Sequence, residues 1–139
     1  MRIAVRYYTQ TGNTKKLADA IAEELAVEAK PVSEPLEEKT DILFLCNSVY
    51  WAGIDRQVKQ FVRKNAEKIG ALVNVSTAAL IESTFSQMKK VAEEAGVTLC
   101  DQEFHCRGKF SALHAGHPDK DDVKAVRAFA KKITGEHDQ

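Results

Sequence analysis

Three cysteines, three prolines, seven glycines, one tryptophan and no net charge mark this chain of 139 residues. Each scarcity closes off a class of protein. Cys46, Cys100 and Cys106 are too few and too widely spaced for a disulfide framework, and no Cys-x-x-Cys occurs. All three stand in apolar, strand-like runs, where a small buried thiol is the ordinary explanation. The glycines show no period, which excludes a collagen-like repeat. Twenty Lys and Arg balance twenty Asp and Glu. The densest basic pairs, Lys15-Lys16, Lys89-Lys90 and Lys131-Lys132, fall in helical patterns as solvated faces. Nucleic-acid binding rests on concentrated positive charge, so nucleic acid is not an expected partner. Met1 leads at once into Arg2-Ile3-Ala4-Val5, with no basic region before a long apolar stretch. Neither a signal peptide nor a membrane span is expected. A reducing cytoplasm fits both the thiols and this start.

Hydrophobic residues make up 44% of the chain, too many for a disordered linker. The length suits one domain over residues 1–139. A domain of this size hides roughly two thirds of its unfolded surface and needs no disulfide or metal to build a core.

Arg2 to Tyr8 is a short apolar run ending at turn-forming residues, and it reads as a strand. From Thr14 the period changes: Leu17, Ile21 and Leu25 form one stripe of a helix that ends near Ala26. Glu28 to Val32 is a second strand. Ser33 to Lys39, interrupted by Pro35, holds at most a single helical turn. Asp41 to Cys46 is apolar without alternation, as expected of a strand covered on both faces. Val58, Phe61 and Val62 give a helical stripe, and Ala71 to Ser76 a fourth strand. Thr84 to Ala95 is helical, with Gly96 as its stop. Val97 to Cys106 is the fifth strand. A last helix opens at Pro118 with acids in its first turn, has Lys131-Lys132 in its last, and stops before Gly135. Strand–helix alternation of this kind calls for right-handed crossovers and a three-layer, doubly wound α/β sheet of five parallel strands. Ligands of such sheets bind beyond the carboxyl ends of the strands. The loops after strands one, three and four are therefore the candidate site.

Thr9-Gln10-Thr11-Gly12-Asn13-Thr14 joins the first strand to the first helix. Hydroxyls, amides and a glycine stand where the first helical N–H groups lack backbone partners. Such a segment can wrap an anion, because N–H groups and the helix dipole attract it while hydroxyls bond its oxygens. It has neither the Gly-Lys-Ser/Thr of a Walker loop nor a Gly-x-Gly-x-x-Gly turn. The plainer alternative, that Thr9 or Thr11 merely caps the helix, needs only one hydroxyl.

The pattern Val5-x-Tyr7-x-Thr9-x-x-Gly12-x-Thr14-x-x-x-Ala18-x-x-Ile21 resembles the signature of flavodoxins, closest to short-chain members. Arg6 stands where that family usually has an apolar residue. The resemblance implies the strand order 2-1-3-4-5, with FMN at the switch point; flavodoxin is itself the standard illustration of that geometry. It implies that Thr9 to Thr14 hold the FMN phosphate.

Asn47-Ser48-Val49-Tyr50-Trp51-Ala52-Gly53 puts the one tryptophan after the third strand. An indole there exposes a large apolar ring unless a planar ligand covers it, and stacking adds about 0.5–1.5 kcal/mol beyond area burial. By the resemblance, Ser48, Val49, Tyr50, Trp51, Ala52 and Gly53 line the flavin ring. Trp51 is the first choice for the stacked residue, Tyr50 the second, and packing of Trp51 under the next helix is the alternative. A peptide at Ala52 or Gly53 would serve flavin N5. Ser76, Thr77 and Ala78 would bond the pyrimidine side from the loop after the fourth strand. That loop lacks the outer tyrosine common in the family, and Phe85 already belongs to the next helix. One flavin face is then open to solvent, a partner protein or a second subunit, which leaves a homodimer possible.

Cys106, His114 and His117 make three loosely spaced zinc ligands with no fourth, a weak pattern beside ordinary surface histidines. A phosphoacceptor receiver would need acids where Tyr7-Tyr8 and Asn47-Ser48 stand. The expected function is noncovalent FMN binding with single-electron transfer to redox partner proteins and no catalytic acid or base. A small NAD(P)H-dependent FMN or quinone reductase on the same fold is the rival reading. Family members are typically acidic and suit basic partners, whereas this chain is balanced.

Overall fold

The computed structural model describes residues 1–9, 12–49, 54–78, 84–107 and 118–137. Five strands are β1 (Ile3–Tyr7), β2 (Ala29–Pro31), β3 (Thr40–Val49), β4 (Ile69–Ala78) and β5 (Phe104–Arg107). Four α-helices are α1 (Asn13–Leu25), α2 (Arg56–Asn65), α3 (Phe85–Ala95) and α4 (Lys120–His137), and a 3-10 turn covers Ala66–Lys68. The strands form one sheet in the order β2-β1-β3-β4-β5, and every pairing is parallel. The expected α/β architecture and strand order are both present.

Alternate residues of the central strands face two separate cores. Val5, Ile42, Phe44, Cys46, Val73 and Val75 pack with Leu17 and Ile21 of α1 and Val126, Ala130 and Ile133 of α4. Leu43, Leu45 and Leu72 pack with Val58, Phe61 and Val62 of α2 and Met88, Val91 and Ala92 of α3. Because both faces are covered, the strands need apolar residues at every position. The two-sided cover also sets the switch point: winding reverses between β1 and β3, with α1 on one face and α2 on the other.

Several boundaries differ from the sequence expectations. β3 and β4 run three and two residues past their expected carboxyl ends, so Asn47, Ser48, Val49, Thr77 and Ala78 are strand residues. Their backbones pair (Asn47 with Ser76, Ser48 with Thr77, Val49 with Ala78), which satisfies peptide groups regardless of side-chain polarity. β5 is shorter than Val97 to Cys106; Asp101-Gln102-Glu103 intervenes, and only a single bridge from Leu99 to Leu72 precedes it. α4 passes through Gly135 to His137 instead of stopping. Gly96 does end α3, in a left-handed conformation.

Arg6 departs from the family pattern and is buried on β1. Its guanidinium donates to the carbonyls of Val5, Glu34 and Pro35 at 2.9–3.1 Å. Desolvation lowers its pKa, while Glu34, Glu37 and Glu28 oppose that effect. The arginine thus holds the segment after β2 against the sheet. Asn65 Oδ1 accepts from Leu36 N at 2.9 Å, and Lys68 Nζ donates to Leu36 O at 2.9 Å, fixing the same segment to the end of α2.

Candidate functional site

β1 continues past Tyr7 through one further bond, Tyr8 N to Cys46 O at 3.0 Å. The chain then turns. Gly12 N donates to Thr9 Oγ1 at 2.8 Å, so the Thr9 side chain spans the base of the turn. Gly12 adopts φ 89° at the N-cap of α1, a left-handed conformation that costs side-chain-bearing residues roughly 1–2 kcal/mol. Open space surrounds the position a Cβ would take. Gly12 supplies no side-chain cap to α1, and no acid lies in its first turn. The first N–H groups of such a helix can bind an anion.

The threonines divide the work. Thr14 is fully buried and donates its hydroxyl to Tyr8 O at 2.7 Å, tying the helix start to the strand end. Thr9 accepts from Gly12 and keeps its own proton to donate. Asn13 is buried beside them. Gln10 and Thr11 lie outside the described residues. Lys15 Nζ bonds Asp19 at 2.9 Å and sits 5.9 Å above the Tyr7 ring; the Asp19 hydrogen bond, then its charge, raises the lysine pKa.

Ser48 is the next residue on the α1 face after Cys46. Since Cys46 pairs with Tyr7, Ser48 lies past the end of β1, level with the turn. Its hydroxyl is buried and has no hydrogen-bond partner. Ser76, fully buried on the opposite face near the end of β4, has an unpartnered hydroxyl too. A buried polar group without a partner costs about 1–3 kcal/mol, and such groups call for a specific explanation. Both serines stand near the carboxyl ends of the central strands β3 and β4. Thr77, also buried, pairs with Ser48 on one side and Cys106 on the other.

Tyr50, Trp51, Ala52 and Gly53 lie outside the described residues. Both flanks of that segment are anchored. Val49 is paired with Ala78, Ile54 N donates to Gln87 Oε1 of α3 at 2.9 Å, and Asp55 caps α2 through Gln57 N at 2.8 Å. The strand-bound Ser76 and Thr77 present buried hydroxyls rather than loop N–H groups.

One cluster under this site escaped the sequence reading. Asn47, Asn74 and Thr84 are all fully buried and bonded in a ring. Asn47 Nδ2 donates to Asn74 Oδ1 (2.8 Å), Asn74 Nδ2 to Thr84 Oγ1 (2.9 Å), and Thr84 Oγ1 to Asn47 Oδ1 (2.8 Å). Thr84 occupies the N-cap of α3 but makes no cap bond, because its hydroxyl turns inward. The ring joins the ends of β3 and β4 to the start of α3. A signal was available: Asn74 is the lone polar residue in Leu72-Val73-Asn74-Val75.

Cys46 and Cys106 do not suit thiolate chemistry. Burial, then the charges of Asp122 and Asp119, pushes the Cys106 thiol up to about 12, and burial raises Cys46 as well. Nucleophilic cysteines need the opposite shift. Among the described residues, no group of three His, Cys, Asp or Glu side chains is placed to hold a metal; His114 and His117 lie outside them. Nor, among those residues, is any helix long and apolar enough to cross a membrane.

The model of a family described as "Flavodoxin domain" matches residues 4–134. An uncharacterized protein of Methanocaldococcus jannaschii is 27% identical over 135 residues, which is 87% of this chain and 89% of that protein. A short-chain flavodoxin associated with a non-canonical PDU bacterial microcompartment superposes with a TM-score of 0.74 at 19% identity, covering 98% of this chain and 99% of its own. An oxidised flavodoxin of Bacillus cereus gives 0.73 at 15% identity, covering 97% and 98%. At these identities the structural likeness is one of fold.

Proposed function

The chain belongs to the flavodoxin family, and from that premise we propose that it holds FMN noncovalently and carries single electrons between partner proteins. The observation that carries this reading is the bond from Gly12 N to Thr9 Oγ1 at the start of α1, where the N-cap glycine supplies no side-chain cap. It fits a phosphate group: a donor hydroxyl, first-turn N–H groups, a positive helix end and no acid in the first turn. The unpartnered hydroxyls of Ser48 and Ser76 fit a polar ring system beyond the strand ends.

In this reading Thr9, Gln10, Thr11, Gly12, Asn13 and Thr14 hold the phosphate, with Thr14 shaping the turn. Ser48, Val49, Tyr50, Trp51, Ala52 and Gly53 line the ring, with Trp51 stacked on it. Ser76, Thr77 and Ala78 serve its pyrimidine edge. The bound flavin supplies the redox chemistry; the protein orients it and shields it from water. No side chain acts as a catalytic acid or base.

Titration calorimetry of the apoprotein tests the assignment. One FMN should bind per chain, and much more tightly than riboflavin, because charge-assisted hydrogen bonds contribute roughly 1.5–3 kcal/mol each. Equal affinity for the two ligands would remove the phosphate from the Thr9–Thr14 turn. In the same titration Trp51 fluorescence should be quenched, and Trp51→Ala should weaken binding.

A further inference from the structure

The zero net charge conceals an ordered distribution. In this sheet every α-helix begins at the carboxyl end of the strands, so all helix N-termini point toward the site's pole. α1 opens with Lys15 and Lys16, has no acid in its first turn, and closes on Glu23 and Glu24 with no base in its last. α3 has no acid in its first turn, carries Lys89 and Lys90 at its centre, and ends on Glu93 and Glu94 with no base. α2 contains Arg56, Lys59, Arg63 and Lys64 and no acid at all. The helix dipole favours the reverse arrangement, by about 0.3–1 kcal/mol for each well-placed charge. Bases near the start of α1 and α2 therefore work against the stability of the helices that carry them.

These charges flank the candidate site. Lys16 is exposed in the first turn of α1, directly after the Thr9–Gly12 turn. Arg56 is the exposed first residue of α2, and Lys59 is half-buried one turn further on. Among the described residues none of the three has an ion-pair partner. On the same helix ends, Asp19 pairs with Lys15 and Asp55 caps α2. Among the described residues, Asp119, Asp121 and Asp122 lie at the start of α4, beside the far edge strand β5, and Glu34 lies just past the end of β2. The starts of α1 and α2 thus add three bases without ion-pair partners among the described residues to the positive ends of the helix dipoles.

We propose that this rim, formed by Lys16, Arg56 and Lys59, is the docking surface for an acidic redox protein. The proposal rests on the flavin reading for its purpose, because the rim surrounds the place where the flavin would be reached. A positive rim around a concave site attracts a partner of opposite charge, orients it and speeds encounter. Basic partners are repelled by the same field.

The probe is a plant-type [2Fe–2S] ferredoxin, a small acidic protein, with cytochrome c as the basic control. Calorimetry at about 20 mM salt should detect ferredoxin binding to the holoprotein, and raising salt to about 200 mM should weaken it tenfold or more, since exposed charges are screened over about 8 Å there. Replacing Lys16→Glu, Arg56→Glu and Lys59→Glu together should abolish ferredoxin binding and create binding to cytochrome c. Stopped-flow mixing then follows one electron passing from the reduced iron–sulfur centre to oxidised flavin, and the triple variant should slow it at least tenfold at low salt. Salt-independent binding of ferredoxin, or wild-type preference for cytochrome c, overturns the proposal without reference to any variant. Should the protein take up no FMN, ferredoxin binding persists while electron transfer is absent. That result sinks the flavin reading and leaves the docking surface standing.

Discussion

Replacing Thr84 with valine tests the buried ring beneath the site, because the exchange keeps the shape of the side chain and removes only its hydroxyl. In the native ring that hydroxyl accepts from Asn74 Nδ2 at 2.9 Å and donates to Asn47 Oδ1 at 2.8 Å. Thr84→Val leaves one N–H of Asn74 and the carbonyl oxygen of Asn47 without it. Asn74 Nδ2 retains a longer contact of 3.3 Å to Glu103, which can serve only its second hydrogen. With about 1–3 kcal/mol for each buried group left unpaired, the loss should be roughly 2–5 kcal/mol. For a domain of this length that corresponds to a fall in Tm of roughly 6–15 °C. Thr84→Ser keeps the hydroxyl and loses one methyl, which should cost only about 1 kcal/mol. Urea unfolding followed by circular dichroism, with the m-value unchanged, measures both. Adding Asn74→Leu to Thr84→Val should cost clearly less than the sum of the single changes, since both partners of one bond are then gone. A valine variant no less stable than the serine variant would refute the reasoning, and the ring would be incidental to the fold.

Three further outcomes are expected. Ala26 caps the carboxyl end of α1 at φ 56°, exposed to solvent. Ala26→Gly should stabilise by about 0.5–1 kcal/mol in urea titration, because relief of left-handed strain outweighs the added freedom of the unfolded chain. Gly70 lets β4 approach β3 closely: a Cβ there would lie 2.9 Å from Asp41 O and 3.0 Å from Thr40 O. Gly70→Ala should therefore destabilise by about 1–3 kcal/mol, read as a lower denaturant midpoint. The thiols of Cys46 and Cys106 have pKa values raised by burial above the ordinary 9.0. Above that pH the unfolded chain releases protons the native state retains, so the associated stability is whole below pH 9 and is lost as pH rises. Stability measured between pH 9 and 11 should fall less steeply in Cys46→Ala/Cys106→Ala than in the wild type.

The strands were legible because both faces of the sheet are covered. Runs such as Ile42-Leu43-Phe44-Leu45 have no alternation to confuse with an exposed sheet. The strand order was not legible in periodicity; it came through the Thr9–Thr14 signature and its resemblance to flavodoxins. The carboxyl ends of β3 and β4 were misjudged for a physical reason. Asn47, Ser48 and Thr77 look like loop residues, but sheet pairing depends on the backbone, not on side-chain polarity. Thr9, Gly12 and Thr14 were recognisable by type as a turn that could hold an anion. The division of their roles was not, since Thr14 turns its proton to Tyr8 O. Arg6 declared itself as a departure from pattern, and its purpose emerged only with the carbonyls of Glu34 and Pro35 around it. The Asn47–Asn74–Thr84 ring joins residues 37 apart in sequence, a distance no local pattern spans.

The shortness of β2 bears on how two such molecules can meet. Val32 N donates inward to Tyr7 O at 2.9 Å, so by the alternation of a strand the N–H of Lys30 also faces β1. The outward positions are Ala29 and Pro31, and proline has no N–H to offer. This margin of the sheet therefore presents a single outward amide to an approaching chain. A continuous sheet across two molecules needs a ladder, and one rung does not make one. The margin is self-terminating, which protects the protein from strand-to-strand aggregation at β2 during crowding or partial unfolding. Two molecules that meet at this margin would have to do so through helix faces or loops, with side chains rather than backbone setting the geometry.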